Sequence, residues 1–143
     1  MKPKRKSLAK TKKELWAIFS LYIRMRDCLK TTGSLEWALC VSCQRRYHIK
    51  VMQAGHFVAG RRSGNLFSER GVNCQCPHCN LRLKGNTLEY RRQIIKLYGE
   101  GADLELEKEA QQVKKYSIPE LEELKETYKA KIEKLKQSNK IGG

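Results

Sequence analysis

Apolar residues recur at helical spacing in four long stretches, and between the first and second of these the pattern shortens to that of strands and turns. From about Lys12 to Leu29 the apolar positions are Leu15, Trp16, Phe19, Tyr22, Ile23, Met25 and Leu29, the spacing of one helix face. No glycine or proline interrupts them, and Thr31-Thr32-Gly33-Ser34 then supplies turn residues. This predicts an amphipathic helix lying on a core. Tyr47 to Met52 alternates apolar with mostly polar residues, which predicts a half-buried strand delivering Gln53 to His56 at its end. A short second strand is expected near Leu66-Phe67. Pro77 suits a first helical position, so a helix is expected to begin there and carry Asn80. Leu88, Ile94, Ile95, Leu97 and Tyr98 mark a helix over residues 87–98 that Gly99 stops. Asp103 to Lys115 predicts another, with Leu104, Leu106, Ala110 and Val113. Ser117-Ile-Pro-Glu120 is a capping box opening a last helix to about Leu135. The order predicts a mostly helical α+β fold. A basic flexible arm occupies 1–13, a core with its N-terminal helix 14–100, and a C-terminal helical extension 101–143.

Charge narrows the class of partner. The chain carries 30 Lys and Arg against 15 Asp and Glu, a net charge of +15. Such a balance favours a polyanion, and nucleic acid is the commonest one. Lys2, Lys4, Arg5, Lys6, Lys10, Lys12 and Lys13 crowd the first thirteen residues with no acid among them. That arm can touch DNA phosphates without choosing a sequence. The apolar runs are too short to cross a bilayer and no signal-peptide pattern opens the chain. The expectation is therefore no membrane and a reducing, cytoplasmic setting. Six cysteines there read as thiolate ligands in preference to disulfides.

Four of those cysteines form two knuckles, Cys40-Val-Ser-Cys43 and Cys76-Pro-His-Cys79. Four thiolates make the closed shell of a structural zinc site and leave no open position for chemistry. Zinc held this way contributes on the order of 10 kcal/mol to small modules. Cys28 and Cys74 fall outside the spacing and read as small core residues. His56 lies between the knuckles, at a strand end, after Gly55 and before a loop bearing Arg61, Arg62 and Arg70. A lone histidine is ordinarily a hydrogen-bonded structural residue. In this context it can instead be a general base that activates water for phosphodiester hydrolysis. Asn80 offers an amide oxygen suited to a hard cation, Mg(II) or Mn(II). Phosphate contacts fall to Arg61, Arg62, Arg70 and Lys84. His48 and His78 read as spectators.

Taken together, Tyr22-Ile-Arg-Met-Arg-Asp27, Cys40-x-x-Cys43, Gln53-Ala-Gly-His-Phe57, Arg61, Gln75-Cys-x-x-Cys-Asn80, Gly85-Asn86, Tyr90 and Tyr98-Gly99 resemble the Rap/NinG family of phage recombination endonucleases. The wider resemblance is to His-Me finger (HNH, ββα-metal) nucleases, including resolvases with an asparagine ligand directly after a four-cysteine zinc site. It implies a zinc-stabilised ββα-metal core, His56 as general base, Asn80 on a catalytic divalent ion, and cutting of branched DNA such as Holliday junctions and D-loops. Partners implied are host or phage recombination proteins. Two positions depart from the HNH pattern. Gly55 stands where an Asp or His ligand usually precedes the base, leaving Gln53 or another residue to assist. Gly71 stands at the usual middle Asn, where Asn73 is the nearby substitute. The competing reading is a non-catalytic zinc-stabilised DNA-binding module. For the apolar stripe of the last helix, a homodimer interface and packing within the chain are both open.

Overall fold

The computed structural model describes residues 7–60 and 62–142, with side chains as far as Asn139. Arg61 and the arm residues Lys2, Lys4, Arg5 and Lys6 lie outside the described residues. Helix α1 spans Leu8–Thr32, so the second half of the expected flexible arm is helical. Ser7 makes this possible. It is extended, and its Oγ accepts the Lys10 N–H at 3.1 Å, replacing a bond that the first helical turn lacks. At the other end Gly33 adopts φ 77°, and its N–H donates to the Leu29 carbonyl at 3.0 Å.

Strands β1 (Trp37–Leu39) and β2 (Arg46–His48) form an antiparallel pair flanking the first knuckle. The expected strand from Tyr47 to Met52 is broken. His48 accepts the Lys50 N–H on Nδ1 at 3.2 Å and the Val51 N–H on its carbonyl at 3.0 Å. These local bonds turn the chain and leave Val51 half exposed. The chain resumes as β3 (Gln53–His56), which pairs antiparallel with β4 (Val72–Gln75). The register sets Gln53 opposite Gln75, Ala54 opposite Cys74, Gly55 opposite Asn73 and His56 opposite Val72. No strand forms at Leu66-Phe67. Those residues follow a short 3-10 turn at Ser63–Asn65, and Phe67 sets its ring edge against Phe19 and Tyr116.

A single π-helical turn, His78–Arg82, follows Pro77 and carries Asn80. Helix α2 (Thr87–Tyr98) ends at Gly99 as expected, but α3 (Ala102–Gln111) stops short of Lys115. The reason lies at Gly64. A Cβ there would stand 2.2 Å from the Glu109 carbonyl oxygen and 2.3 Å from that of Gln112. Loop backbone thus presses on the end of α3, Gln112 turns extended, and Val113 is solvent-exposed. Helix α4 (Ile118–Gly142) opens on the capping box: the Glu120 N–H donates to Ser117 Oγ and the Ser117 N–H to Glu120 Oε2. It runs past Leu135.

Helices α1 and α4 lie alongside each other in the same direction, since Glu14 meets Lys125, Phe19 meets Tyr128 and Tyr22 meets Lys131. Leu121, Tyr128 and Ile132 are buried, and Leu121 and Tyr128 join Leu15, Phe19, Ile23 and Val72 in one core. The stripe on α4 is accordingly packed within the chain. Among the described residues the fold is a mostly helical α+β arrangement with two small two-stranded sheets. Among the described residues no helix is long and apolar enough to cross a membrane.

Candidate active site

Cys40, Cys43, Cys76 and Cys79 bring their sulfurs within 4.8 Å of one another, and Cys43 and Cys76 stand 3.9 Å apart. A tetrahedral shell with Zn–S bonds of about 2.3 Å needs sulfurs about 3.8 Å apart, so the cluster fits zinc. Local backbone builds it. The Gln44 N–H closes the first knuckle on the Cys40 carbonyl at 2.9 Å, with Gln44 at φ 61°. In the second, the Cys79 N–H points at Cys76 Sγ at 3.4 Å, and Asn86 Nδ2 at Cys79 Sγ at 3.5 Å. Burial pushes the Cys40 thiol pKa well above its ordinary value, so binding a zinc ion there must displace the Cys40 proton. Cys28 and Cys74 are buried beside the cluster, as small core residues. No other group of histidines, cysteines and acids among the described residues is placed to hold a metal. His78 is exposed, and His48 lies against the ring of Trp37.

His56 ends β3, two-sidedly held. Its ring stacks on Trp16 of α1, with centroids 5.1 Å apart and planes 14° from parallel. Its Nε2 lies 3.1 Å from the Leu66 carbonyl oxygen. A carbonyl has no proton to give, so Nε2 must carry the hydrogen, and Nδ1 is left with the lone pair. Burial lowers the pKa of His56, outweighing the Leu66 bond, which acts the other way. The imidazole is neutral near pH 7.

Asn80 is oriented by Gln53: its Nδ2 donates to Gln53 Oε1 at 2.8 Å. The Gln53 oxygen, the sequence candidate for assisting a metal, is used in that bond. Gly55 is buried between them and His56, and its carbonyl accepts the Tyr90 hydroxyl at 2.7 Å. Asn73 is buried and structural. It donates to Tyr90 and to the Arg70 carbonyl, and accepts from Arg26. Sequence reasoning read Trp16 only as core. The Leu66 carbonyl had no signal at all, because any residue could supply it.

The basic residues are dispersed. Arg62 is exposed, with its Nε 3.4 Å from the Ala59 carbonyl. Arg70 turns toward α3, pairing with Glu105 at 3.1 Å. Lys84 is exposed at φ 48°, in the turn before α2. Arg26 faces inward, bonding Asp27, the Glu69 and Val72 carbonyls, and Asn73.

Among known proteins, protein ninG of Escherichia phage lambda is 30% identical over 100 residues, covering 69% of this chain and 48% of that protein. Protein ninG of Escherichia phage 933W is 29% identical over 100 residues, covering 69% and 49%. The chain thus spans about half the length of these curated relatives. No solved structure matches it. The profile of the family described as "NinG: Bacteriophage Lambda NinG protein" matches residues 1–139, and the chain belongs to that family.

Proposed function

We propose that this protein is a metal-dependent DNA endonuclease with a His-Me finger (ββα-metal) core made of β3, β4 and the π-helical turn bearing Asn80. Its substrates would be branched recombination intermediates such as Holliday junctions and D-loops. The observation that carries the reading is the fixation of His56. The Leu66 carbonyl selects the tautomer with the hydrogen on Nε2, and Trp16 holds the ring plane. That leaves Nδ1 as a neutral acceptor for a proton from water, the state a general base needs near pH 7.

Asn80 Oδ1 is a hard, neutral donor suited to Mg(II) or Mn(II), and Gln53 holds its amide in place. Such an ion, when bound, neutralises charge developing on the scissile phosphate and the leaving oxygen. Arg61, Arg62, Arg70, Lys84 and the basic N-terminal residues hold the phosphate backbone, giving affinity that falls with salt. The choice of branched DNA rests on the family resemblance and the net charge of +15. A homodimer presenting two sites to a two-fold symmetric junction belongs to the same proposal; a monomeric mass with junction DNA bound would remove it.

Labelled four-way junctions incubated with Mg(II) or Mn(II) test the proposal. Wild type should cut them, and His56→Ala should lose about 10²- to 10⁴-fold in rate while still binding the junction. Wild type that binds the junction and leaves it intact in both ions would leave only the zinc-stabilised DNA-binding module.

A further inference from the structure

Gln75 is a fully buried polar residue that the proposed mechanism does not use. Its Nε2 donates to Ser42 Oγ and to the Gly85 carbonyl, both at 2.8 Å. Those bonds settle the orientation of the amide, because a flipped side chain would set oxygen against the Gly85 carbonyl oxygen. Oε1 is then buried with no hydrogen-bond partner. Leaving a buried amide oxygen unpaired is costly, so its position calls for an explanation.

The explanation is at Gly55. A Cβ built there would stand 1.9 Å from Gln75 Oε1 and 3.0 Å from Asn80 Oδ1. Two carboxamide oxygens, one from β4 and one from the π-helical turn, therefore converge on the space that the missing side chain leaves. Each amide is anchored by its nitrogen, Gln75 on Ser42 and Gly85, Asn80 on Gln53. Each turns its oxygen into the same space, next to the residue that precedes His56. Neutral, hard oxygens with free lone pairs suit a divalent cation of the Mg(II) or Mn(II) type.

We propose that Gln75 is a second oxygen donor of the cation site, its Oε1 acting with Asn80 Oδ1 over the bare Gly55 backbone. The assignment rests on the endonuclease reading. It gives Gly55 a role: any side chain there displaces the Gln75 oxygen. It also explains how a carboxamide on the opposite strand, paired in register with Gln53, stands in for a ligand that position 55 itself does not supply.

The probe is Mn(II), whose free six-line electron paramagnetic resonance signal falls as it binds. The whole chain, zinc-loaded, is titrated, with zinc stoichiometry and thermal melting recorded for each variant. Gln75→Ala should weaken Mn(II) binding at least about tenfold, the scale seen when a metal's surroundings are disturbed. Adding Gly55→Asp to Gln75→Ala exchanges a buried carboxamide for a carboxylate of similar bulk in the same space, and should restore binding. A purely structural role for Gln75 predicts instead that Gly55→Ala, which displaces Oε1 and adds no ligand, binds Mn(II) like wild type. Should Gln75→Ala lose its zinc, Gly55→Ala reads the same contact by displacing Oε1, and wild-type affinity there overturns the assignment. Wild type that cuts junctions and binds Mn(II), with both single variants titrating like it, sinks the Gln75 assignment alone. Wild type that neither cuts nor binds Mn(II) sinks the endonuclease reading with it.

Discussion

The two ends of the β3–β4 ribbon are held by different physics. At the Gln53–Gln75 end the surrounding core is Cys28, Ala38, Cys40, Met52, Cys74, Cys76 and Cys79, mostly small side chains and sulfur. At the His56–Val72 end it is Leu15, Phe19, Ile23, Val72, Leu121 and Tyr128, supplied by α1, α4 and the ribbon. Burying a large aliphatic or aromatic side chain contributes about 1.5–3 kcal/mol. The helical end can therefore hold itself, whereas the sulfur end has little apolar bulk and depends on ligation. The candidate site straddles the division. His56 rests on Trp16 of the helical half, and Asn80 directly follows the last cysteine of the four-cysteine cluster. Positioning one against the other requires both halves to be intact.

The largest test of this contrast is metal removal. Trp37 sits in β1 on the sulfur side, with Arg46 4.5 Å above its ring, and Trp16 sits on α1 against His56. Single-tryptophan variants, Trp16→Phe and Trp37→Phe, give each half its own fluorescence signal. Stripping zinc with a strong chelator removes a contribution on the order of 10 kcal/mol. Trp37 emission should collapse toward that of exposed indole while Trp16 and most helical circular dichroism persist. Simultaneous loss of both signals would mean one cooperative unit, and the contrast would fail.

Next in size is the joint between the halves. Asp27 is buried at the end of α1. One carboxylate oxygen accepts from Arg26 Nε at 2.8 Å and the other from the Cys74 N–H at 2.8 Å, beside the four-cysteine cluster. Arg26 carries the connection onward to the Glu69 carbonyl at 2.6 Å and the Val72 carbonyl at 3.0 Å. Asp27→Ala removes the counter-charge of the mostly buried Arg26 guanidinium and the acceptor of the Cys74 N–H, at about 3–5 kcal/mol by thermal or denaturant unfolding. Phe19→Ala should cost a similar ~3–5 kcal/mol, since Phe19 is fully buried against Phe67 and Tyr128. The comparison is sharpened by zinc affinity: it should fall in Asp27→Ala and stay unchanged in Phe19→Ala.

What the sequence made legible follows the same division. The cysteine spacing pointed to the sulfur cluster because two short knuckles are local features, and the capping box and Gly99 marked helix ends for the same reason. The α1 stripe was visible by period. The second strand was misplaced at Leu66-Phe67 because aromatic and aliphatic character there serves α1 and Tyr116, not a ladder. β4 went unseen because Val-Asn-Cys-Gln is buried at every position and shows no alternation. The Tyr47–Met52 run looked continuous because side-chain alternation survives a turn that backbone bonds to His48 create. The sequence singled out His56 as a candidate, but not what holds its ring. A carbonyl from Leu66 and a ring from Trp16 come from 10 and 40 residues away (66 − 56 and 56 − 16), where sequence periodicity carries no information.

A smaller effect belongs to the start of α4. Ser117→Ala removes the hydroxyl that accepts the Glu120 N–H at 3.2 Å and should cost about 1 kcal/mol in thermal unfolding. Because α4 packs on α1, the loss should appear in the Trp16 signal and leave Trp37 and zinc affinity alone.

The smallest effect expected is the titration of His56 itself. Its folded pKa lies below the ordinary value of about 6.5 because burial disfavours the imidazolium. In the unfolded chain the ring regains that ordinary value. Stability from the buried neutral ring is therefore present above about pH 6.5 and is lost as pH falls toward the lowered folded value. Protonated imidazole quenches a stacked indole, so Trp16 emission in the Trp37→Phe variant reports the transition directly. The midpoint should fall below that of a free histidine, and His56→Gln should abolish the step. The acid limb of junction cleavage should follow the same midpoint, because Nδ1 can accept a proton only from the neutral ring. A Trp16 midpoint at or above the free value would mean the pocket favours the charged ring. His56 would then be a cation beside DNA phosphate, not a base.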